Sequence, residues 1–96
     1  MVKFEQQEHG QGVFKAYDDQ AVIGSMYVNI SGSTLKAIHT EVDPAHEGKG
    51  IAHQLLDSMV AYARENKMHV IPLCPFVFAQ FRRHPEQYAD LWQPGK

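Results

Sequence analysis

"HEGKGIAHQLL", residues 46–56, sets two glycines around a lysine and then turns apolar at helical spacing. Glycine is a poor helix former, so Gly48 and Gly50 at a helix entry raise the question of what the backbone needs there. From Gly48 onward Ile51, Leu55, Met59 and Ala63 fall four apart, with Ala52, Leu56 and Val60 widening the stripe. That spacing predicts a helix of about five turns running to Asn66, where Asn66-Lys67 supplies a stop.

The flanks decide the topology. Upstream, "TLKAIHTEV" (34–42) alternates as a strand, with Ile38, Thr40 and Val42 on one face and Ala37, His39 and Glu41 on the other. Asp43-Pro44 breaks it, because proline cannot continue the hydrogen-bond ladder. Downstream, "MHVIPLC" (68–74) is a short strand with little alternation, as expected for a strand covered on both faces. Strand, glycine loop, helix, strand is a βαβ unit, nearly always right-handed, with its two strands parallel.

Ahead of this unit, "GVFKAYD" (12–18) and "AVIGSMYVNIS" (21–31) flank Asp18-Asp19-Gln20 as an antiparallel hairpin, and "SGS" (31–33) is a second turn. After it, Pro75 opens a short C-terminal helix with Phe78 and Phe81 on its apolar side, and His84-Pro85 ends it. In the tail "EQYADLWQPGK" (86–96), Tyr88, Leu91 and Trp92 are expected to pack back on the body. The order is β-β-β-α-β-α, an α/β chain with a mixed sheet, read as one domain over residues 1–96. There are no repeats, linkers or low-complexity stretches.

Ninety-six residues with 44% hydrophobic content suit one compact domain. With 9 basic against 11 acidic residues, the charge gives no reason to expect nucleic acid or an anionic membrane as partner. Met1-Val2-Lys3-Phe4 runs straight into charged and polar residues, and no apolar run could span a bilayer, so neither signal peptide nor transmembrane helix is expected. The single cysteine excludes an internal disulfide and fits a reducing cytoplasm. Six histidines scatter without metal-ligand spacing, so no metal is expected.

In a βαβ unit the glycines sit at a helix N-terminus, at the carboxyl end of a parallel strand. There the first N–H groups are unpaired and the dipole end is positive, a combination that binds phosphate; glycine admits a bulky anion and Lys49 adds charge. A plain helix-entry turn is the competing reading. A Walker loop needs Gly-Lys followed by Ser or Thr, but Gly50 follows Lys49. A Rossmann fingerprint needs a third glycine where His53 stands and an acid where Leu73-Cys74 stand.

"HTEVDPAHEGKGIAHQLLDSMVAYAREN" followed by "VIPLCPF" resembles the GNAT acetyltransferase superfamily, and its small single-domain branch most closely, over residues 37–88. The family's pyrophosphate-binding pattern Q/R-x-x-G-x-G/A falls on Glu47-Gly48-Lys49-Gly50-Ile51-Ala52, with Gly50 and Ala52 matching and Glu47 where Gln or Arg is usual. A carboxylate there opposes the pyrophosphate, leaving Lys49 and backbone donors to carry the affinity. The resemblance implies a minimal GNAT-like fold, acetyl-CoA as co-substrate and transfer of acetyl to an amine, a small molecule or a protein. Larger members wall the acceptor pocket with helices and strands that this chain lacks. Its acceptor site is therefore open, suiting a peptide or protein amine, or completed by another subunit, as in a homodimer.

In that fold the pantetheine enters where strands 34–42 and 68–74 splay apart, which assigns Val42, Glu47, Gly48, Lys49, Gly50, Ile51, Ala52, Pro75 and Phe76 to the co-substrate. Cys74 closes the second strand and caps the next helix, where the helix N-terminus favours a thiolate. It is a candidate acetyl-accepting nucleophile or an acid toward the departing sulfur, against a small buried hydrophobe. Glu41, one residue from the expected splay, is a candidate base; His39, about 10 Å back along the strand from Val42, is a further catalytic candidate, against a role in orienting a water or bracing the strand. Tyr88 is a further candidate acid, weighed against tail packing. Two rivals keep the fold without the transfer: a non-catalytic CoA-binding module, and a thiol sensor forming a mixed disulfide between Cys74 and CoA.

Overall fold

The computed structural model describes residues 1–92; residues 93–96, the end of the tail, lie outside the described residues. The elements are β1 (Val2–Gln6), β2 (Gln11–Asp18), β3 (Ala21–Ser31), β4 (Thr34–Val42), α1 (Ile51–Glu65), β5 (His69–Pro72) and α2 (Pro75–Arg83). The sheet order is β1-β2-β3-β4-β5, antiparallel through β4, with β5 parallel to β4 across α1. The mixed α/β architecture expected from the sequence is present.

Register sorts the side chains into two faces. Phe4, Phe14, Met26 and Thr40 stand opposite one another in turn and face α1; Glu5, Val13, Tyr27 and His39 form the neighbouring row on the other face. Against the first face α1 lays Leu55, Leu56, Met59, Val60 and Ala63, all buried. Full burial of a leucine contributes about 1.5–3 kcal/mol, so this stripe is the main hold on the helix. The helix seats closely because Gly24 is bare: a Cβ there would lie 2.9 Å from Ile51 Cγ2 and 3.3 Å from Leu55 Cδ1.

Three details differ from the sequence reading. First, β1 is an additional strand; only Val2 and Phe4 among its five residues are apolar, too short a pattern to read. Its Phe4 ring lies 4.5 Å from Phe14 and 4.6 Å from Tyr62, which anchors it. Second, the face assignment along β4 fails at Ile38. Tyr27 pairs with His39 and Val28 with Ala37, so Ile38 has no partner and forms a β-bulge. The extra residue puts Leu35 and Ala37 on the same face as Thr40 and Val42, and leaves Ile38 46% exposed. Third, β5 is not covered on both faces: Val70 is buried, but Ile71 and Leu73 are 40% and 58% exposed.

The tail packs back as expected. Phe81 of α2 stacks on Tyr88 at 4.5 Å and meets Trp92 at 5.8 Å. Arg64 fixes this cover to α1, with Nε 2.9 Å from Asp90 Oδ2 and Nη2 2.7 Å from the Gln87 carbonyl. The Arg64 guanidinium holds the Asp90 carboxyl below its ordinary range.

Candidate active site

The β4–α1 loop is built by side chain first and glycine second. Asp43 accepts the Ala45 N–H at 3.0 Å and starts a single 3-10 turn, Pro44–His46. The His46 imidazole then sits between two carboxylates, Nε2 3.5 Å from Asp18 and Nδ1 3.8 Å from Asp43, so the loop is tied to the β2–β3 turn. Gly48 and Gly50 adopt φ +81° and +78°, the left-handed region that side-chain-bearing residues enter at a cost. Nothing lies within 4 Å of where a Cβ would sit at either, so the glycines open space as well as turn the chain.

Gly50 is the N-cap of α1, its carbonyl receiving the Gln54 N–H at 3.1 Å. No side chain caps the helix and no acid stands in its first turn, so the N–H groups of Ile51, Ala52 and His53 face outward without partners among the described residues. A groove of about 410 Å³ opens over them, lined by Thr40, Val42, His46, Glu47, Gly48, Gly50, Ile51, Ala52, His53 and Phe76. His53 and Phe76 meet edge to face at 5.4 Å where α1 and α2 converge.

Beside the groove the parallel strands part. The β4–β5 register runs from Thr34 and His69 to Ala37 and Pro72, and the Cys74 N–H donates to the Ala37 carbonyl at 2.8 Å. Beyond that rung β4 continues to Val42 without β5, paired only with β3. The fork therefore opens at Ile38–His39, further back than the sequence alone suggests: His39 borders it and Glu41 stands two residues out. Cys74 is the N-cap of α2 with Pro75 after it, is 2% exposed, and has its Sγ 3.2 Å from Thr40 Oγ1.

His39 and Glu41 occupy the other face of β4 from Thr40 and Cys74. There His39 Nε2 lies 3.5 Å from Glu41 Oε2, the Tyr27 hydroxyl donates to Glu41 Oε1 at 3.0 Å, and the Tyr27 ring stacks on His39 at 6.1 Å. On the same face Lys15 and then Tyr17 hold the Glu5 carboxyl below its ordinary value.

Of the sequence candidates, Val42, Glu47, Gly48, Gly50, Ile51, Ala52 and Phe76 share the groove. Lys49 and Pro75 flank it without lining it. Tyr88 is buried against Phe81, and that burial raises its phenol above the usual range. Thr40, His46, His53 and Tyr27 join the site only in three dimensions. Thr40 shares a face with Val42, a signal that the sequence does carry; Tyr27 depends on cross-strand register, which leaves no mark in the sequence. Among the described residues no group of three His, Cys, Asp or Glu side chains could hold a metal. No helix of the described residues is long and apolar enough to cross a membrane.

A fork between parallel strands beside an uncapped helix N-terminus, on a mixed five-stranded sheet, is the architecture of a CoA-dependent acyltransferase fold. The model of the GCN5-related N-acetyl-transferase family matches residues 7–91, and the chain belongs to that family. Solved structures agree on the fold. A GCN5-like protein of Staphylococcus aureus shares 22% identity at a TM-score of 0.70, over 98% of this chain and 90% of its own. A ribosomal-protein-alanine N-acetyltransferase of Brucella melitensis biovar Abortus shares 23% identity at a TM-score of 0.66, over 83% of this chain. An aminoglycoside N-acetyltransferase in complex with CoA shares 16% identity at 0.58, over 91% of this chain and 71% of its own. The chain spans 62% of the Brucella protein's length and 43% of that of the Escherichia coli ribosomal-protein-S18-alanine N-acetyltransferase. No curated protein sequence matches the chain significantly.

Proposed function

We propose that the protein is an acetyl-CoA-dependent N-acetyltransferase that moves acetyl from the thioester to a primary amine. The observation that carries this reading is the continuity of the groove: free N–H groups at the start of α1, an unpaired β4 edge, and a fork open toward the opposite face. The N–H groups of Ile51 and Ala52, with the room left by Gly48 and Gly50, suit a pyrophosphate, and the Lys49 ammonium offsets the nearby Glu47 charge. Past Ala37 the β5-facing edge of β4 has lost its partner, so its backbone groups are available to the amides of pantetheine.

That placement brings the thioester to the fork, with Cys74 on the helix side and His39 and Glu41 on the other. An amine attacks only when neutral. An ammonium arriving on the open face meets the Glu41 carboxylate, held by Tyr27, with the His39 imidazole as its neighbour, and one of them takes the proton directly or through water. The amine nitrogen then bonds to the carbonyl carbon, the carbon–sulfur bond breaks, and the CoA thiolate takes a proton. The Cys74 thiol, held by Thr40, is placed to supply it. Direct attack is favoured over an acetyl-cysteine because no histidine or carboxylate among the described residues touches Sγ to remove its proton. A mixed-disulfide sensor draws little support from a thiol 2% exposed.

The chain's one cysteine is free, which suits a reducing compartment, and we place the protein in the cytoplasm as a single domain. Thiol release from acetyl-CoA over a panel of amines tests the activity. Release that rises with amine supports it; tight CoA binding without amine-dependent release makes the chain a binding module instead.

A further inference from the structure

The wall of the groove holds one polar atom that the fold leaves unmatched. His46 Nδ1 is shut away from solvent and meets no hydrogen-bond partner among the described residues. Native interiors rarely leave such an atom alone, so its missing partner needs a name. Nδ1 lies 3.8 Å from Asp43 Oδ2, and Nε2 of the same ring lies 3.5 Å from Asp18 Oδ2. An ionised carboxylate only accepts hydrogen bonds, whereas a neutral imidazole has one N–H and one lone pair. Whichever nitrogen holds the single proton, the other turns its lone pair on a carboxylate. Only an imidazolium presents a donor to each. The other titratable groups lining the groove are Glu47, next along the loop, and His53 of α1; β4 contributes the neutral Thr40 and Val42. Asp18, Asp43 and Glu47 thus surround the ring with negative charge that one flanking ammonium, Lys49, does not cancel.

We propose that His46 is a positioning residue for the co-substrate: as an imidazolium it bridges Asp18 and Asp43, and the bridge holds the glycine loop in the shape that receives the pyrophosphate. The inference rests on the acetyl-CoA reading above and adds to it a proton that the bound state requires. The loop needs such a tie. Gly48 and Gly50 give its backbone freedom, no side chain caps α1, and Pro44–His46 is only a single turn. Asp43 serves twice, with Oδ1 on the Ala45 N–H and Oδ2 beside His46. Asp18 ends β2, so through it the loop is fastened to the sheet. When the proton leaves, one carboxylate faces a lone pair, the loop loosens, and the ligand must supply the ordering. Acetyl-CoA therefore binds more tightly to the charged form, and reciprocally its binding strengthens the hold on that proton.

The test is a calorimetric titration of the full chain with acetyl-CoA at about pH 6 and about pH 8, which bracket the ordinary histidine range, with the His46 ring nitrogens followed by NMR. Affinity should be about three- to tenfold higher at the lower pH, the scale of two partly exposed ion pairs. Bound acetyl-CoA should move the loss of the His46 proton to higher pH. His46→Gln should bind more weakly at the lower pH and lose most of the pH dependence. The ligand phosphates and His53 titrate in both chains alike, so the difference between the chains belongs to His46. Asp18→Asn offers a donor as readily as an acceptor, so a neutral imidazole completes the bridge. Its affinity at the higher pH should match or exceed that of the unaltered chain, with a flatter pH profile, which a merely structural contact would not produce. Equal pH dependence in the unaltered and His46→Gln chains, a neutral His46 in the complex at the lower pH, or an Asp18→Asn chain as pH-sensitive as the original would overturn the proposal alone. No acetyl-CoA binding at either pH would overturn the co-substrate reading and this proposal with it.

Discussion

The Cys74 N–H bonded to the Ala37 carbonyl at 2.8 Å is the last rung between β4 and β5. Because the ladder ends at that bond, the site has an opening at all. The Ile38 bulge turns the strand, Thr40 comes round to face Cys74, and His39 and Glu41 are left on the far side of an open fork.

Gly24→Ala tests how the groove is held open. The added methyl lies 2.9 Å from Ile51 Cγ2 and 3.3 Å from the Glu41 carbonyl oxygen, so the first turn of α1 must lift. Overpacking of this kind costs about 1–3 kcal/mol. Urea melts should show that loss, and calorimetric titration should show weaker acetyl-CoA binding.

Gly50→Val separates conformation from contact. With φ +78° and open space around the Cβ, the stability cost comes from the backbone and is about 1–2 kcal/mol. The branched side chain also stands over the N–H groups at the start of α1, and acetyl-CoA affinity should fall by more than stability does. Unchanged affinity in a folded variant would remove the phosphate role from this loop.

The larger part of this architecture is legible in the sequence. Ile51, Leu55 and Met59 at helical spacing and the alternating strands fix the hairpin, the helix and the parallel pair, because burying an apolar face imposes its period on the chain. The glycine loop and Cys74 at a helix N-cap come from the order of elements. Register is the part that stays hidden. A bulge adds one residue and leaves no compositional trace, so simple alternation groups apolar Ile38 with Thr40 although Ile38 is exposed. The Tyr27–His39–Glu41 cluster and the point where β4 leaves β5 depend on cross-strand pairing, and β1 carries too few apolar residues to declare itself.

Tyr27→Phe removes only the donor to Glu41, leaving the ring against His39. If the carboxylate receives the amine's proton, turnover should fall several-fold while acetyl-CoA affinity, set on the opposite face, stays level. Steady-state kinetics beside calorimetry would show the split; unchanged turnover would take Glu41 out of the proton path.

Cys74→Ala should fold, since it removes only the Sγ atom and its contact with Thr40 at a cost of about 1–2 kcal/mol, and should lower turnover if the thiol protonates the departing sulfur. Intact mass after acetyl-CoA should show no acetyl adduct on the unaltered chain. A transient adduct there, absent from the variant, would move the mechanism to an acetyl-cysteine. Full turnover by Cys74→Ala would make the residue structural.

Asp90→Asn tests the tail clasp. Its bidentate contact with Arg64 is surface exposed, so the expected loss is about 0.5–1 kcal/mol at neutral pH. The lowered carboxyl sets the sign with pH: its contribution is present above the ordinary aspartate range and is lost as pH falls through the depressed folded value. Melts of the two chains should differ at pH 7 and converge in acid, where a persistent gap would show that the contact acts through something other than charge.

Acetyl-CoA binding across the fork is the central claim, and backbone chemical-shift mapping during an acetyl-CoA titration tests it most directly. Saturable shifts should move Val42, residues 48–52 and residues 74–76 together, with CoA nearly equivalent and ADP or NAD much weaker. Shifts confined to the 12–31 hairpin, or no saturable binding at all, would contradict it.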